Sequence, residues 1–320
     1  MTNFIRTLPR RALRNAVFAL SDALSPAPKP LTAKDEANIA RLRSEIATAA
    51  LPETVPGGAE EWMENLVTLR HHVLNEDPRE FLRWPVILKA MFVTFYGYVA
   101  RELLYLLRHN WRRWRPAIAE APVGRPYRYP LYPASSGNLI HHAYHLALFE
   151  RSTATEVADL GCIVEFGGGY GSMCRLTRNL GFRGTYIIFD LPHFSALQRF
   201  YLRSMGFAVA DAAESATPGE IVCLSDANEL RNAVARASAN GKALMIGTWS
   251  LSEAPIAARN ILLELADRFA LFLIAFQSDF AGVDNVRFFA DWTKRHPAVR
   301  WQFQPIRHFP SSKYLFGKRS

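Results

Sequence analysis

A cluster of glycines between two apolar runs is the part of the chain best suited to binding a ligand. The run Glu165–Gly171 (EFGGGYG) follows apolar residues, and a second apolar run, Thr185–Phe189, ends at Asp190. This order predicts a strand, a tight turn, a crossover helix and a second parallel strand. Glycine suits such a turn because a backbone with positive φ is tolerated best without a Cβ. The acid that ends the second strand is placed to accept both hydroxyls of a ribose.

The spacing of the glycines separates two kinds of nucleotide site. A dinucleotide fingerprint has glycines at offsets 0, 2 and 5. Here Gly167 and Gly169 occupy the first two, but offset 5 is Ser172 and the third glycine is Gly171, at offset 4. Glu165 stands two residues before the first glycine, which gives the pattern E-x-G-x-G-x-G. This pattern resembles motif I of the class I S-adenosylmethionine-dependent methyltransferases.

The resemblance to motif I implies that the chain binds S-adenosylmethionine. In that family the glycine turn lies under the methionine portion of the cofactor, and the acid ending the second strand holds the ribose. The cofactor-binding residues implied at matching positions are Glu165, Gly167, Gly168, Gly169, Gly171, Asp190, Leu191, Asp226 and Trp249. Two structural alternatives stay open. The glycines could form an ordinary tight turn, and Asp226 could cap the helix that begins after it.

Length and composition are those of a globular protein with a substantial core. The 320 residues are 49% hydrophobic and 21% charged, which allows one large domain or two modest ones. The three cysteines have neither metal-ligand nor disulfide-framework spacing, which favours buried thiols in a reducing compartment. The expected location is therefore the cytoplasm.

The chain carries a formal net charge of +9, and most of the excess lies in its first part. Up to Arg128 there are 19 basic and 13 acidic residues, a net charge of +6. Such a bias favours anionic partners such as nucleic acid, phospholipid or a phosphorylated substrate, although a solvated basic surface explains it equally well. No signature of RNA recognition accompanies the arginines, so a nucleic-acid partner is not expected.

Residues 1–125 are predicted to form an all-α region. The first 24 residues mix arginines with apolar residues and are too interrupted for a membrane span or a secretory signal. They are expected to pack on the protein itself, with peripheral membrane contact as the alternative. A proline-rich linker, Ser25–Pro30, follows. Thr32 and Asp35 then predict a capping box at the start of a helix.

Two further stretches of this region have open interpretations. Val86–Leu107 is predicted as one buried helix, since its charged residues make a bilayer span costly. Trp111–Arg115 alternates arginines with tryptophans, which suits a phosphate or a stacked base or sugar. A helix end with tryptophans in the core explains it as well.

Residues 126–320 are predicted to form the methyltransferase domain. Apolar runs alternate with helical patterns, which predicts the α/β class: a Rossmann-like, doubly wound, mostly parallel seven-stranded sheet with an antiparallel final hairpin. The predicted strands are Ile163–Phe166, Thr185–Phe189, Glu220–Leu224, Ala243–Gly247, Ala270–Phe276, Trp301–Ile306 and Tyr314–Phe316. Ligands are expected beyond the carboxyl ends of the strands.

A helix predicted to start at Ser136 lies just before this sheet. Asn138, His141 and His145 fall at offsets 0, 3 and 7, so one helical face carries all three. The histidine pair has zinc-ligand spacing, but a third ligand and the metalloprotease glutamate are missing, so no metal is expected. A lid that faces the substrate is the preferred interpretation, and a plain packed helix is the alternative.

Three segments after predicted strands carry a more specific resemblance. Phe189–Pro192 (FDLP), Thr248–Pro255 (TWSLSEAP) and Ala275–Asn285 (AFQSDFAGVDN) resemble the sugar O-methyltransferase family, which is associated with polysaccharide and surface-glycan biosynthesis. The resemblance covers about residues 130–320. It implies that a hydroxyl of a nucleotide-linked or glycan-bound sugar accepts the methyl group. Ser250 and Glu253 also form a capping-box pattern, so a structural explanation exists for the second segment.

Methyl transfer to a hydroxyl needs a base within about 3 Å of the hydroxyl proton. The candidates are His141, His145, His193 and Glu253. Glu253 is preferred for acceptor binding or as the base, with a histidine of the lid helix as its partner. No paired-carboxylate motif for magnesium follows the strands, and Asp279 and Asp284 come nearest to one.

Two other functions stay open. One is a methyltransferase that acts on RNA or protein, which a steep salt dependence of nucleic-acid binding would favour. The other is a non-catalytic module that keeps the fold. A spoiled glycine turn or a missing ribose acid would favour the module, and the sequence has neither.

Overall fold

A mixed sheet of seven strands organises the computed structural model, which describes residues 15–51, 60–94, 97–212 and 217–320. The strands are β1 Cys162–Phe166, β2 Thr185–Phe189, β3 Ile221–Leu224, β4 Ala243–Thr248, β5 Leu271–Gln277, β6 Asp279–Phe280, β7 Val283–Asp284, β8 Val299–Pro305 and β9 Ser312–Arg319. The large sheet has the order β3-β2-β1-β4-β5-β9-β8, and β6 and β7 form a separate small hairpin. The order is doubly wound, since strands are added on both sides of β1.

The directions of the strands confirm the predicted fold class. β1 to β5 are parallel to one another, whereas β9 runs antiparallel to both β5 and β8. All five residues of β1 and all four of β3 are buried, as expected of parallel strands covered on both faces. Ile163 packs into the core on one face of the sheet, and its neighbour Val164 packs into the core on the other.

Helices cover both faces of the sheet. Residues 15–23 are helical and are called α1. The others are α2 Ala33–Thr48, α3 Glu60–Asn75, α4 Pro85–Ala90, α5 Gly97–Arg108, α6 Trp111–Ala117, α7 Gly137–Thr153, α8 Ser172–Asn179, α9 Pro192–Ser204, α10 Ala227–Ala237, α11 Ser250–Glu253, α12 Ile256–Leu263 and α13 Asn285–Lys294. Buried residues of α2 to α9 share the core with Ile163, and those of α10 to α13 share the core with Val164.

The amino-terminal helices dock directly on the sheet half of the molecule. The capping box at the start of α2 is confirmed, because the Asp35 amide donates to the Thr32 hydroxyl and the Thr32 amide donates to the Asp35 carboxylate. Asn38 of the same helix donates to the carbonyl of Phe200, at 3.0 Å. Residues 15–25 also contact the chain near residue 128, where the Ser21 hydroxyl donates to the Arg128 carbonyl. The predicted division at residue 125 stays a prediction.

The prediction of one helix over Val86–Leu107 is wrong. α4 ends at Ala90 and α5 starts at Gly97, with a non-helical segment over the described residues 91–94. The Val93 amide donates to the side chain of Asn138 at 3.1 Å, and the Phe92 ring stacks on Tyr170. These tertiary contacts replace helical hydrogen bonds, and apolar composition alone cannot distinguish a buried helix from a buried extended segment.

The structure also bears on the predictions for Trp111–Arg115, for the cysteines and for the basic arm. In α6, Trp114 is buried and Arg113 pairs with Glu150 of α7. For these two residues the structure therefore supports the alternative of a packed helix rather than a ligand site. Arg112 and Arg115 are exposed. The three cysteines are buried and free. Within the described ranges no helix is long and apolar enough to cross a membrane. Residues 1–14, most of the predicted basic arm, lie outside the described residues.

A buried ion pair joins the two parts of the chain. Arg175 of α8 pairs with Glu120, which follows α6, and the two side chains are only 3% and 2% exposed. Arg175 also donates to the Tyr201 hydroxyl at 3.1 Å. Removal of one partner leaves the other charge buried without its counter-ion, which is among the most destabilising single changes.

We therefore expect Arg175→Met to lower the free energy of unfolding by about 3–5 kcal/mol in urea denaturation. The matched control is Lys294→Met, which removes the exposed pair with Asp291 and should cost less than about 1 kcal/mol. Because Glu120→Gln neutralises the remaining charge, adding it to Arg175→Met should restore part of the stability. Equal effects of the Arg175 and Lys294 variants would contradict a stabilising role for the buried pair.

Candidate functional site

One cavity of about 750 Å³ opens at the carboxyl ends of the parallel strands. Its walls come from the segments that follow β1, β2 and β4, from the first turns of α7, and from the end of α4 with the segment after it. Further lining comes from α12, from Phe309 in the connection between β8 and β9, from Trp62 of α3, from Tyr98 of α5 and from Ser225 after β3. The carboxyl edge of a doubly wound sheet is the position where such folds bind ligands.

The glycine turn after β1 has the backbone that its sequence predicts. Gly167, Gly169 and Gly171 have φ values of 66°, 57° and 93°. A Cβ on Gly167 would lie 2.3 Å from the Cβ of Ser250, and one on Gly168 would lie 2.6 Å from the Ile188 side chain. Gly167, Gly168 and Gly169 line the cavity, but Gly171 does not. Gly171 donates its amide to the Gly168 carbonyl and begins α8.

Glu165 lies under the glycine turn and reaches the cavity from β1. It is 3% exposed, and the Tyr186 hydroxyl donates to its Oε2 at 2.8 Å. Burial raises the pKa of Glu165 to about 8, because the hydrogen bond from Tyr186 offsets only part of the desolvation and Asp190 adds repulsion. Gly168 lies against this carboxyl, since a Cβ on it would be 3.0 Å from Oε2.

Asp190 ends β2 and lines the cavity beside the glycine turn. The Leu191 amide donates to its Oδ1, and Gln198 of α9 donates to its Oδ2, both at 2.8 Å. Burial raises the pKa of Asp190 to about 7 despite these donors. Leu191 lines the cavity as well, with 36% of its surface exposed.

Of the two residues that follow β3, the cavity lining includes Ser225 but not Asp226. Asp226 is the N-cap of α10, where its Oδ1 accepts from the amides of Asn228 and Glu229, and it does not line the cavity. Its neighbour Ser225 lines the cavity instead, with its hydroxyl 2.9 Å from that of Ser195. The helix-cap alternative for Asp226 therefore has direct structural support.

The predicted face of α7 is turned to the cavity. Ser136 caps this helix by accepting from the Leu139 amide, and Asn138, His141 and His145 all line the cavity. Asn138 is held in place from two sides, since its Nδ2 donates to the Tyr170 hydroxyl and its Oδ1 accepts from the Val93 amide.

Trp249 follows β4 in an unusual backbone conformation. Its φ of 65° and ψ of −44° place a bulky residue where glycine is normally required. The ring lies 5.7 Å from that of His141 and 5.3 Å from that of His145, centroid to centroid. The Trp249 amide donates to the Ala275 carbonyl at 2.7 Å, which helps to hold the strained residue in place.

Glu253, four residues further on, also lines the cavity. Its Oε1 accepts from Gln277 Nε2 at 3.1 Å, and Gln277 Oε1 in turn accepts from the Ser252 hydroxyl. The Gln277 carbonyl accepts from the Asn285 side chain, so part of the AFQSDFAGVDN segment supports this wall of the cavity.

A buried network of histidines lies along the α7 side of the cavity. Glu102 Oε1 accepts from His141 Nδ1 and from His308 Nε2, both at 2.8 Å. His141 Nε2 lies 3.0 Å from His145 Nε2, and His145 Nδ1 lies 2.6 Å from the Tyr314 hydroxyl. Glu102, His145 and Tyr314 are at most 1% exposed.

Sequence reasoning missed Glu102, His308 and Phe309. Nothing in the sequence pairs Glu102 with α7, which lies 39 positions further along the chain. The location of His308 and Phe309 at the cavity could have been predicted from the strand order. They follow β8, and because β8 runs parallel to β5 its carboxyl end lies at the same edge of the sheet. His193 is buried, neither of its ring nitrogens has a hydrogen-bond partner among the described residues, and it does not line the cavity.

The carboxylates considered for magnesium do not form a cluster. Asp279 and Asp284 face each other in the small β6–β7 hairpin, and Asp284 caps α13 by accepting from the Arg287 amide. Among the described residues no group of three or more His, Cys, Asp and Glu side chains could hold a metal ion.

Comparison with known proteins gives distant likenesses only. No protein-family model and no curated protein matches the chain. A candidate RNA methyltransferase from Pyrococcus horikoshii is 13% identical with a TM-score of 0.38, over 58% of this chain and 86% of the other. An O-methyltransferase family protein from Burkholderia thailandensis is 13% identical with a TM-score of 0.35, over 89% and 95%.

A third likeness is to the magnesium protoporphyrin IX methyltransferase from Synechocystis PCC 6803 with bound SAM, which is 14% identical with a TM-score of 0.34, over 70% of this chain and 98% of the other. At such identities and TM-scores, neither the reaction nor the acceptor of this chain follows from the likeness.

The raised pKa values of Asp190 and Glu165 predict how stability depends on pH. A carboxyl in the unfolded chain titrates near pH 4, whereas these titrate at about 7 and 8 when folded. Between these limits the folded protein binds more protons than the unfolded chain, so the free energy of unfolding falls as pH rises. Asp190→Asn removes one of the two groups.

As the pH rises from 5 to 8, we expect Asp190→Asn to gain about 2–3 kcal/mol of stability relative to the wild type. Urea denaturation at both pH values measures this difference. Asp279→Asn, which removes an exposed carboxylate, is the control and should show no such gain. A difference between Asp190→Asn and wild type that is the same at pH 5 and pH 8 would contradict the raised pKa.

Proposed function

We propose that the protein transfers a methyl group from S-adenosylmethionine to a hydroxyl group of a sugar. The observation that carries the proposal is a convergence in one cavity. A glycine turn with positive φ and the acid of the neighbouring strand form one part of the lining, and a buried histidine network forms another. A non-catalytic module would need neither part.

The cofactor end of the cavity suits a nucleoside with a polar extension. Gly167 to Gly169 offer a backbone surface without side chains, and a Cβ on Gly169 would lie 3.4 Å from the Cβ of Met91, which also lines the cavity. Asp190 would accept the ribose hydroxyls, and Leu191 would pack on the adenine. Glu165 would orient the turn from below. The bound cofactor supplies a methyl group made electrophilic by its positively charged sulfur.

The acceptor end of the cavity combines flat rings with few polar groups. Tyr98, Trp249 and Phe309 present aromatic surface, and His141 and Glu253 supply polar atoms. Ligand sites commonly have this composition, in which a few polar groups fix the orientation of the bound molecule. Together with the resemblance of the segments after β2, β4 and β5, it supports a sugar acceptor, nucleotide-linked or part of a glycan.

The amino-terminal helices have a part in this proposal. Leu88, Met91 and Tyr98 line the cavity, so the described residues of α4, of α5 and of the segment after α4 supply one wall of the site. We propose that this wall shields the acceptor from water during transfer in a cytoplasmic enzyme. Alignment and exclusion of water are what such a transfer requires of a protein.

Isothermal titration calorimetry with S-adenosylmethionine and S-adenosylhomocysteine tests the cofactor. Both are expected to bind, and Asp190→Ala should weaken binding about 10–100-fold, as expected for loss of a hydrogen bond to a charged group. The matched control is Asp226→Ala, at the end of the next strand and outside the cavity lining. Failure of both ligands to bind folded wild-type protein would overturn the cofactor assignment.

A methyl-transfer screen tests the acceptor. Protein with isotopically labelled S-adenosylmethionine is incubated with a mixture of sugar nucleotides, with bulk glycan and with total RNA, and labelled products are separated by mass spectrometry. A labelled sugar is expected. Labelled RNA without a labelled sugar would overturn the sugar acceptor while leaving methyl transfer in place.

A further inference from the structure

We propose that His141 is the base that takes the proton of the acceptor hydroxyl, and that Glu102 and His308 are positioning residues that fix its reactive nitrogen. This inference rests on the proposed function, since it names the base of that same reaction. It also gives the amino-terminal helices a chemical role, because Glu102 belongs to α5.

Glu102 determines which nitrogen of His141 carries a proton. Burial alone would raise the pKa of Glu102, but attraction and hydrogen bonds from His141 and His308 outweigh it and hold the pKa below its ordinary value. The carboxylate is therefore an acceptor only, so both imidazoles must donate to its Oε1. The proton of neutral His141 is consequently on Nδ1, and Nε2 keeps its lone pair.

His145 and Tyr314 fix the other side of His141. Burial lowers the pKa of His145 well below its ordinary value and raises that of Tyr314 well above, so both are neutral. When His141 is also neutral, one arrangement satisfies every bond. The Tyr314 hydroxyl donates to His145 Nδ1, and His145 Nε2–H donates to the lone pair of His141 Nε2.

His145 thus occupies the lone pair of His141 in the unliganded protein, and an acceptor hydroxyl would replace it. As the oxygen forms its bond to the methyl carbon, the O–H proton passes to His141 Nε2 and the electron pair of the broken carbon–sulfur bond stays on sulfur. The positive charge therefore moves from sulfur to the imidazolium, and the Glu102 carboxylate at 2.8 Å compensates it. The proton then leaves to solvent.

The environment of His141 includes other titratable side chains besides Glu102. The titratable groups around it on the packed elements are Tyr98, His142, His145, Glu253, His308 and Tyr314. Burial lowers the pKa of His142 to about 3, so that ring is neutral. Glu253 Oε1 accepts from Gln277 Nε2 at 3.1 Å, in the wall of the cavity that follows β4.

Nuclear magnetic resonance of the full-length protein labelled with ¹⁵N-histidine tests the tautomer directly. Long-range ¹H–¹⁵N spectra, assigned with His141→Gln, are expected to show neutral His141 with its proton on Nδ1. In Glu102→Gln, which keeps the shape but removes the charge, the proton affinity of His141 should fall at least about tenfold. Asp279→Asn, which neutralises an exposed carboxylate outside the cavity lining, is the control and should change it less than about twofold.

A proton on Nε2 of neutral His141, or equal proton affinity in the wild type and Glu102→Gln, would overturn the inference. The tautomer in the wild type needs no substitution, so the test stands even if Glu102→Gln fails to fold. His308→Phe, which keeps the ring stacked on Tyr98, is the second variant and should also change the titration of His141.

Catalysis gives the second readout, with the sugar-nucleotide mixture as the acceptor source. Glu102→Gln is expected to slow single-turnover methyl transfer about 100-fold or more, while affinity for S-adenosylhomocysteine stays within about twofold. An unchanged rate would overturn the role of Glu102. If wild-type protein binds S-adenosylhomocysteine but His141 has the wrong tautomer, only this inference fails. If it does not bind, the proposed function fails whatever the tautomer.

Discussion

The common direction of the parallel strands is the constraint on which the site depends. β1 to β5 are parallel to one another. In the sheet β9 lies between β5 and β8 and is antiparallel to both, so β8 is parallel to β5. Every segment that follows one of these strands therefore starts at one edge of the sheet. Residues far apart in the sequence, such as Asp190, Trp249 and Phe309, consequently line one cavity.

Buried charge holds the helical part of the chain against this sheet. Glu120 pairs with Arg175, and Glu102 accepts from His141 and His308. A buried pair of this kind contributes little net stability compared with apolar packing, but it permits few alternative arrangements. The two contacts therefore mainly fix how the amino-terminal helices dock on the sheet. The contact between Glu102 and the two histidines does so next to the cavity.

The sequence predicted the sheet well because its signals are local. Each buried parallel strand is a short apolar run, and the predicted β2 has the observed limits, Thr185–Phe189. The part of the cavity formed by the glycine turn and Asp190 was predictable for the same reason, since both lie within one strand–helix–strand unit. The helical face with Asn138, His141 and His145 also followed from spacing alone.

What escaped prediction depends on contacts between distant parts of the chain. The break after α4 is stabilised by the side chain of Asn138, and no pattern within Val86–Leu107 predicts this contact. From the sequence, Asp226 suits cofactor binding and helix capping equally well. Only the orientation of its carboxylate toward the α10 amides distinguishes the two roles. Glu102 looked like a charge that merely interrupts an apolar helix, yet it is the partner of two histidines.

The histidine network has a consequence for the order in which parts of the structure form during synthesis. His145 and Tyr314 lie 169 positions apart, and Glu102 and His308 lie 206 apart. Contacts of such long range form late, because the entropy of closing the intervening chain must be overcome first. On the ribosome, the glycine turn and Asp190 emerge more than a hundred residues before Tyr314. The residues of the glycine turn and Asp190 are therefore synthesised well before those that complete the histidine network.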